Sequence, residues 1–175
     1  MSPPDTRSGR AVTEGIQVMV LFLKNLAFTI VAPGTAAFLI PWLMVGGRRT
    51  ELGFMTMVSI LLFVVGSAIY LWCVWDFATF GRGTPAPIDP PKKLVVRGLY
   101  QYSRNPMVVG VLILILAWAV SFKAIILVVY ALIVGLAFHA VIVIYEEPHL
   151  RKLFGDSYLD YCARVPRWLP RFRAK

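Results

Sequence analysis

The sequence predicts an all-α integral membrane protein with about four transmembrane helices, a carboxyl-terminal helical hairpin and a polar tail on one membrane face. Three observations carry this. Hydrophobic residues make up 58% of the 175 positions, and the mean hydropathy is +0.71, too apolar for a soluble globule. The apolar residues fall into runs near the length of a bilayer span. The lysines and arginines behind the net charge of +9 cluster beside those runs, which favours anionic lipid headgroups over nucleic acid as the partner. The length suits an amino-terminal arm over 1–15 and one domain over 16–175.

The first residues, 1–14, are polar and carry no cleavable-signal pattern. Ile16–Leu23 reads as an interfacial lead-in, broken by Lys24-Asn25, and Leu26–Val45 as the first span. Pro33-Gly34 and Pro41 predict a kink there. A short polar turn, Gly46–Glu51, leads to the second span, Leu52–Trp75, which ends in an interfacial aromatic group of Trp72, Trp75 and Phe77. Asp76–Tyr102 is the one sizeable loop. Its glycines and prolines (Gly81, Gly83, Pro85, Pro87, Pro90, Pro91) exclude a regular helix. Its apolar residues, among them Phe80, Leu94, Leu99 and Tyr100, predict that it packs on something.

Pro106 is placed to open a third helix over Met107–Phe122, because its missing N–H has no intrahelical partner in a first turn. Ser121-Phe122-Lys123 leaves room only for a tight turn into a fourth span, Ala124–Tyr145, giving an antiparallel hairpin. Beyond it the chain is amphipathic, with Leu150, Leu153-Phe154, Tyr158 and Tyr161 at helical spacing, until Pro166 and Pro170 stop any helix. Four spans put both termini and the large loop on one side. That side holds most of the arginine and lysine, so it is assigned to the cytoplasm, as in a multi-pass protein of a bacterial inner membrane. Cys73 and Cys162 suggest no disulfide framework.

Chemistry concentrates at two places. Arg104-Asn105-Pro106 stand at the mouth of the third helix, whose free N–H groups favour an anion. Glu146-Glu147 stand where the fourth span meets the cytoplasm, and two carboxylates beside hydrocarbon need water or cations. The hairpin brings these ends within side-chain reach. Either a structural ion pair or a polar pocket at the membrane surface follows. His139 and His149 lack persuasive metal-ligand spacing, and no activated serine or cysteine constellation is evident, so no metal site is proposed.

Four motifs then share order and spacing with one family: Leu94-Val95-x-x-Gly98-x-Tyr100; Arg104-Asn105-Pro106-x-x-x-Gly110; Glu146-Glu147-x-x-Leu150-x-x-x-Phe154-Gly155-x-x-Tyr158-x-x-Tyr161; and Val165-Pro166-Arg167-x-Leu169-Pro170. Over about 90–170 the chain resembles the isoprenylcysteine carboxyl methyltransferases, which are related to the phospholipid N-methyltransferases. The resemblance implies a carboxyl-terminal half that encloses S-adenosylmethionine on the cytoplasmic side, with a lipid-like acceptor entering from the bilayer. It implies catalytic roles for Arg104, Glu146 and Glu147. Cofactor contacts are implied for Gly98, Tyr100, Arg104, Asn105, Pro106, Gly110, Glu146, Glu147 and Tyr158. Three positions depart from the family pattern: Asn105 replaces a histidine, Val108 a tyrosine, and Lys92 a histidine often seen before the Leu-Val pair. Membrane sterol reductases look similar in the same half, so a reductase is one alternative. A non-catalytic membrane binding or assembly protein, with Arg104–Glu146 as a bridge, is the other. The acceptor (carboxylate, amine or thiol) and the oligomeric state are left open by the residues.

Overall fold

A computed structural model describes residues 30–48, 50, 53–81 and 94–168. The expectations for the amino-terminal arm, the interfacial lead-in, the centre of the large loop and the last residues fall outside these. Among the described residues the protein is all-α, as its composition predicts.

The chain enters as a wide, π-helical segment, Ile30–Leu39, and tightens into α1, Ile40–Val45. Two prolines account for this. Pro33 lies inside the wide segment, and Pro41 removes one backbone donor and crowds the carbonyl four residues back. The predicted kink therefore takes the form of a change in helical pitch. Helix α2 runs Phe54–Asp76 and continues as a wide turn, Phe77–Gly81. It outlasts the predicted span because no breaker occurs before Gly81, and the Thr79 hydroxyl donates back to the Trp75 carbonyl at 2.7 Å.

Helix α3, Pro106–Phe122, begins on the predicted proline. It ends at Lys123, whose left-handed backbone (φ 48°, ψ 39°) turns the chain. The Ala124 N–H then donates to the Ala119 carbonyl at 3.0 Å, and α4 (Ile125–Val141) returns alongside. The tight hairpin is as expected. The fourth helix does not stop at Tyr145, however. It widens over Ile142–Glu146 and runs straight into α5, Glu147–Phe154. Pro148 supplies the reason: in a regular helix its ring would strike the Ile144 carbonyl, and the wider turn relieves that contact. Glu146 and Glu147 thus lie within one continuous helical run rather than at its end. After Gly155 the amphipathic helix α6 spans Asp156–Arg164.

The centre of the molecule is the crossing of α2 and α3. Gly66 and Gly110 face each other so closely that a Cβ on Gly66 would sit 3.0 Å from the Gly110 carbonyl oxygen, and one on Gly110 3.1 Å from the Gly66 oxygen. Small residues allow such backbone approach, and close packing is what holds apolar helices together where lipid removes the hydrophobic driving force. Around the crossing, Tyr70, Val111, Leu114 and Ile115 form the core with Ala37 and Ala131. The Tyr130 hydroxyl ties the entering segment to α4 by donating to the Ala36 carbonyl at 3.0 Å.

The outward faces stay apolar: Met57 is 72% exposed and Leu136 69%. Helices that are apolar all round require an apolar surrounding. Among the described residues two helical runs, Phe54–Phe80 and Ile125–Phe154, are long and apolar enough to cross a membrane. Pro33–Val45 and Pro106–Phe122 are shorter apolar helices. The 17 residues of the latter rise about 25 Å, somewhat less than the roughly 30 Å of hydrocarbon.

Candidate active site

At one end of the α3–α4 hairpin three elements converge: the entry to α3, the start of α5, and α6 with the segment after it. Arg104 is fixed at both its backbone and its side chain. Its N–H donates to the Pro166 carbonyl at 2.9 Å. Its Nη1 donates to Glu147 Oε1 at 3.0 Å and lies 2.8 Å from the Cys162 sulfur. Glu147 is also gripped by Arg167, with Nε to Oε1 at 2.8 Å and Nη2 to Oε2 at 2.9 Å. This is the planar two-bond pairing of a guanidinium with a carboxylate, stronger and more directional than a point-charge contact. The side chains are mostly buried: 14% exposed for Arg104 and 21% for Glu147.

Asn105 and Ser103 lock the carboxyl-terminal segment onto this arrangement. Asn105 Nδ2 and the Ser103 hydroxyl both donate to the Arg167 carbonyl, at 3.1 and 3.3 Å. Asn105, standing before α3, thus holds Arg167 in place instead of capping the helix through its side chain. Tyr158 and Tyr161 are buried beneath. Tyr158 shares a hydrogen bond with Cys162, and the Tyr161 hydroxyl donates to the Tyr100 carbonyl at 2.8 Å. Burial pushes all three phenols above their ordinary range, so they act as neutral donors. The hydrogen bond from Arg167 to Glu147 pushes the guanidinium further toward its charged form. Arg104 Nε is buried and has no acceptor among the described residues.

The remaining sequence candidates are placed as follows. Glu146, next to Glu147, is exposed and lies outside these hydrogen bonds. Pro106 is buried in the first turn of α3, and Gly110 sits in the crossing with α2. Gly98 packs against Asp76 and Trp72 at the end of α2, and Tyr100 is buried behind the cluster. The hairpin argument thus brings Arg104 to Glu147, with Asn105 and Tyr158 beside them. Two participants went unrecognised as such. Arg167 lay in a quoted motif but carried no periodic or charge-pair signal toward a residue twenty positions back. Cys162 lies in none of the sequence's charge pairs, so nothing in its neighbourhood points to Arg104. His139 meets the ring of Trp168 with centroids 5.9 Å apart, next to the cluster.

An open apolar groove of about 750 Å³ lies deeper, between the entering segment and the middle of α2 and α3. Phe38, Trp42, Leu71, Leu114 and Trp118 line it, with Thr35, Ser67 and Tyr70 as its hydroxyl-bearing residues. Tyr70 stands six positions, roughly 9 Å of helix rise, before the end of α2. The groove is separate from the arginine cluster.

Residues 54–157 match the phospholipid methyltransferase family, a span that contains both the helix crossing and the Arg104–Glu147 pair. The chain belongs to that family. It is also 36% identical, over 83 residues, to protein-S-isoprenylcysteine O-methyltransferase B of Arabidopsis thaliana. That alignment covers 45% of this chain and 40% of the relative, so the chain spans well under half of that protein's length. No solved structure matches significantly. The ion cluster of this phospholipid methyltransferase family member straddles the end of the matched region: Arg104 and Glu147 lie inside it, Cys162 and Arg167 beyond it.

Proposed function

We propose that this protein transfers a methyl group from S-adenosylmethionine to a lipid-like acceptor at the cytoplasmic face of a membrane, crossing the bilayer about four times. The reading rests on one observation above others: Glu147 holds two guanidiniums at the end of an apolar helical hairpin, and one of them, on Arg104, keeps a buried Nε donor without an acceptor among the described residues. A buried donor in that state favours an anionic or oxygen-rich ligand. The carboxylate and ribose of the cofactor offer both, so the residues present fit it. Arg104 would take the ligand oxygen, with Glu147 and Arg167 fixing the guanidinium plane. Tyr158 and Trp168 offer faces to a cation. The cofactor, when bound, supplies an electrophilic methyl on a sulfonium.

Alignment and exclusion of water are the chain's own contribution. The neutral phenols under the cluster and the apolar helix walls keep that end dry. Glu146, exposed and outside the ion cluster, is the candidate base if the acceptor is an amine that must lose a proton. A carboxylate or thiolate acceptor needs none. The apolar groove lies at the depth where the tail of a lipid would rest with its head at the membrane surface, which supports an acceptor with a long apolar chain.

The deciding experiment incubates the detergent-purified protein with methyl-labelled cofactor and total lipid extract, and identifies the labelled product. Parallel titrations with S-adenosylhomocysteine and NADPH separate the rivals. Binding of NADPH alone supports the reductase, and binding of neither supports a structural ion cluster.

A further inference from the structure

Asp76 is the last residue of α2 and is 1% exposed, the most buried charge among the described residues. Neither carboxylate oxygen has a hydrogen bond from the described residues. Among the described residues its compensation is an ion pair, Arg97 Nε to Oδ1 at 3.2 Å. A buried carboxylate held this way adds little or nothing to stability relative to an apolar side chain of similar volume. What it does fix is position. The Arg97 guanidinium is sandwiched against the Phe80 ring, 3.4 Å from its centroid. The next residue, Gly98, has φ 54°, and a Cβ there would run into the Asp76 carboxylate and the Trp72 indole nitrogen. Two residues on, Tyr100 sets its ring edge-on to Phe77 and gives its carbonyl to Tyr161. The 3-10 turn Gly98–Gln101 then passes through the Ser103 N–H, bonded to the Leu99 carbonyl at 3.1 Å, directly into Arg104.

We infer that Asp76 and Arg97 are a positioning pair: they clamp the Arg97–Ser103 segment to the end of α2 and thereby hold Arg104 in register with Glu147 and Cys162. Asp76 and Arg97 touch none of the reacting groups and act through Arg104. The activity side of this inference rests on the methyltransferase reading. The geometric side does not.

The test uses Arg97→Gln, which removes the pair at a side chain already 46% exposed and so leaves the fold standing, and Arg97→Lys, which keeps a charge for Asp76. The first readout is the alkylation rate of Cys162, whose sulfur Arg104 covers. Cys73 is 0% exposed and stays silent. Arg104→Lys calibrates the direction of the change. Arg97→Gln should alter the rate in that same direction, by at least about twofold, while Arg97→Lys stays near the parent. The second readout is methyl transfer at saturating cofactor. Arg97→Gln should lower turnover about tenfold alone and add little on top of Arg104→Lys, because effects that run through one residue are not additive. A parental Cys162 rate in Arg97→Gln overturns the inference, whatever the activity. Additive losses in the double variant also overturn it, since Arg97 would then act elsewhere. Should the parent transfer no methyl group while the Cys162 rates shift as expected, the enzymatic reading fails and the positioning pair stands.

Discussion

Two neighbouring glutamates face different surroundings, and this difference can be measured. Glu147 receives three hydrogen bonds from two arginines, whereas Glu146 is exposed on the adjacent face. Glu147→Gln leaves two guanidiniums competing for one neutral amide, and we expect S-adenosylhomocysteine binding to weaken roughly ten- to hundredfold, the equivalent of about 1.5–3 kcal/mol. Glu146→Gln should leave that affinity near the parent's. Equal losses in titrations of the two variants would contradict the assignment. Arg104→Lys retains a charge for Glu147 but not the fork. Turnover should fall at least about tenfold with the melting temperature unchanged. Full activity in that variant would reduce Arg104 to an anchor. The sequence brought Arg104 to the glutamates because a tight hairpin permits one arrangement of its ends. It left the choice between the two glutamates open because adjacent helical residues point about 100° apart. The wide turn before them changes that phase in a way composition does not reveal.

At the level of elements, the α2–α3 crossing sets the frame on which the site is built. A methyl group at Gly66 meets the Gly110 carbonyl and Leu114, with backbone on one side and a core side chain on the other. Gly66→Ala should therefore destabilise the protein by about 1–3 kcal/mol and lower activity with it. Gly135 is the comparison. A Cβ there would lie 3.6 Å from Leu112, an ordinary contact, so Gly135→Ala should be near neutral. Thermal unfolding in detergent separates the two, and equal melting temperatures would mean that the crossing can open. The third helix was legible nearly to the residue, because Pro106 and Lys123 act locally through missing donors and a left-handed turn. The second and fourth helices ran past their expected ends. The interfacial aromatics that mark the end of the second span, and the polar residues after Tyr145 that mark the end of the fourth, report a change in polarity, not where helical hydrogen bonding stops.

For the molecule as a whole, orientation is the property on which the location of the site depends. Cys162 lies in the cluster and is partly accessible, while Cys73 is buried in α2. A membrane-impermeant thiol reagent should label Cys162 only when the cytoplasmic face is open to it, and Cys73 in neither orientation. Labelling from outside would reverse the topology and move the site with it. The apolar runs made the class of fold readable, since few other structures tolerate them. Arg167 and Asp76 stayed hidden because their partners are brought to them by the packing of distant segments, which no local pattern encodes. The widened turn at Ile142–Glu146 has an evolutionary side as well. Such turns accommodate one surplus residue within an otherwise regular helix. Pro148 keeps the turn wide, so deleting the 76% exposed Ile144 together with Pro148→Ala should let the run take ordinary pitch and retain S-adenosylhomocysteine binding. Deleting Ile144 alone should lose that binding, because the proline ring would meet the carbonyl before it. The stretch between hairpin and site would then be a spacer whose surplus residue is tied to one proline, so that the two can be lost only together.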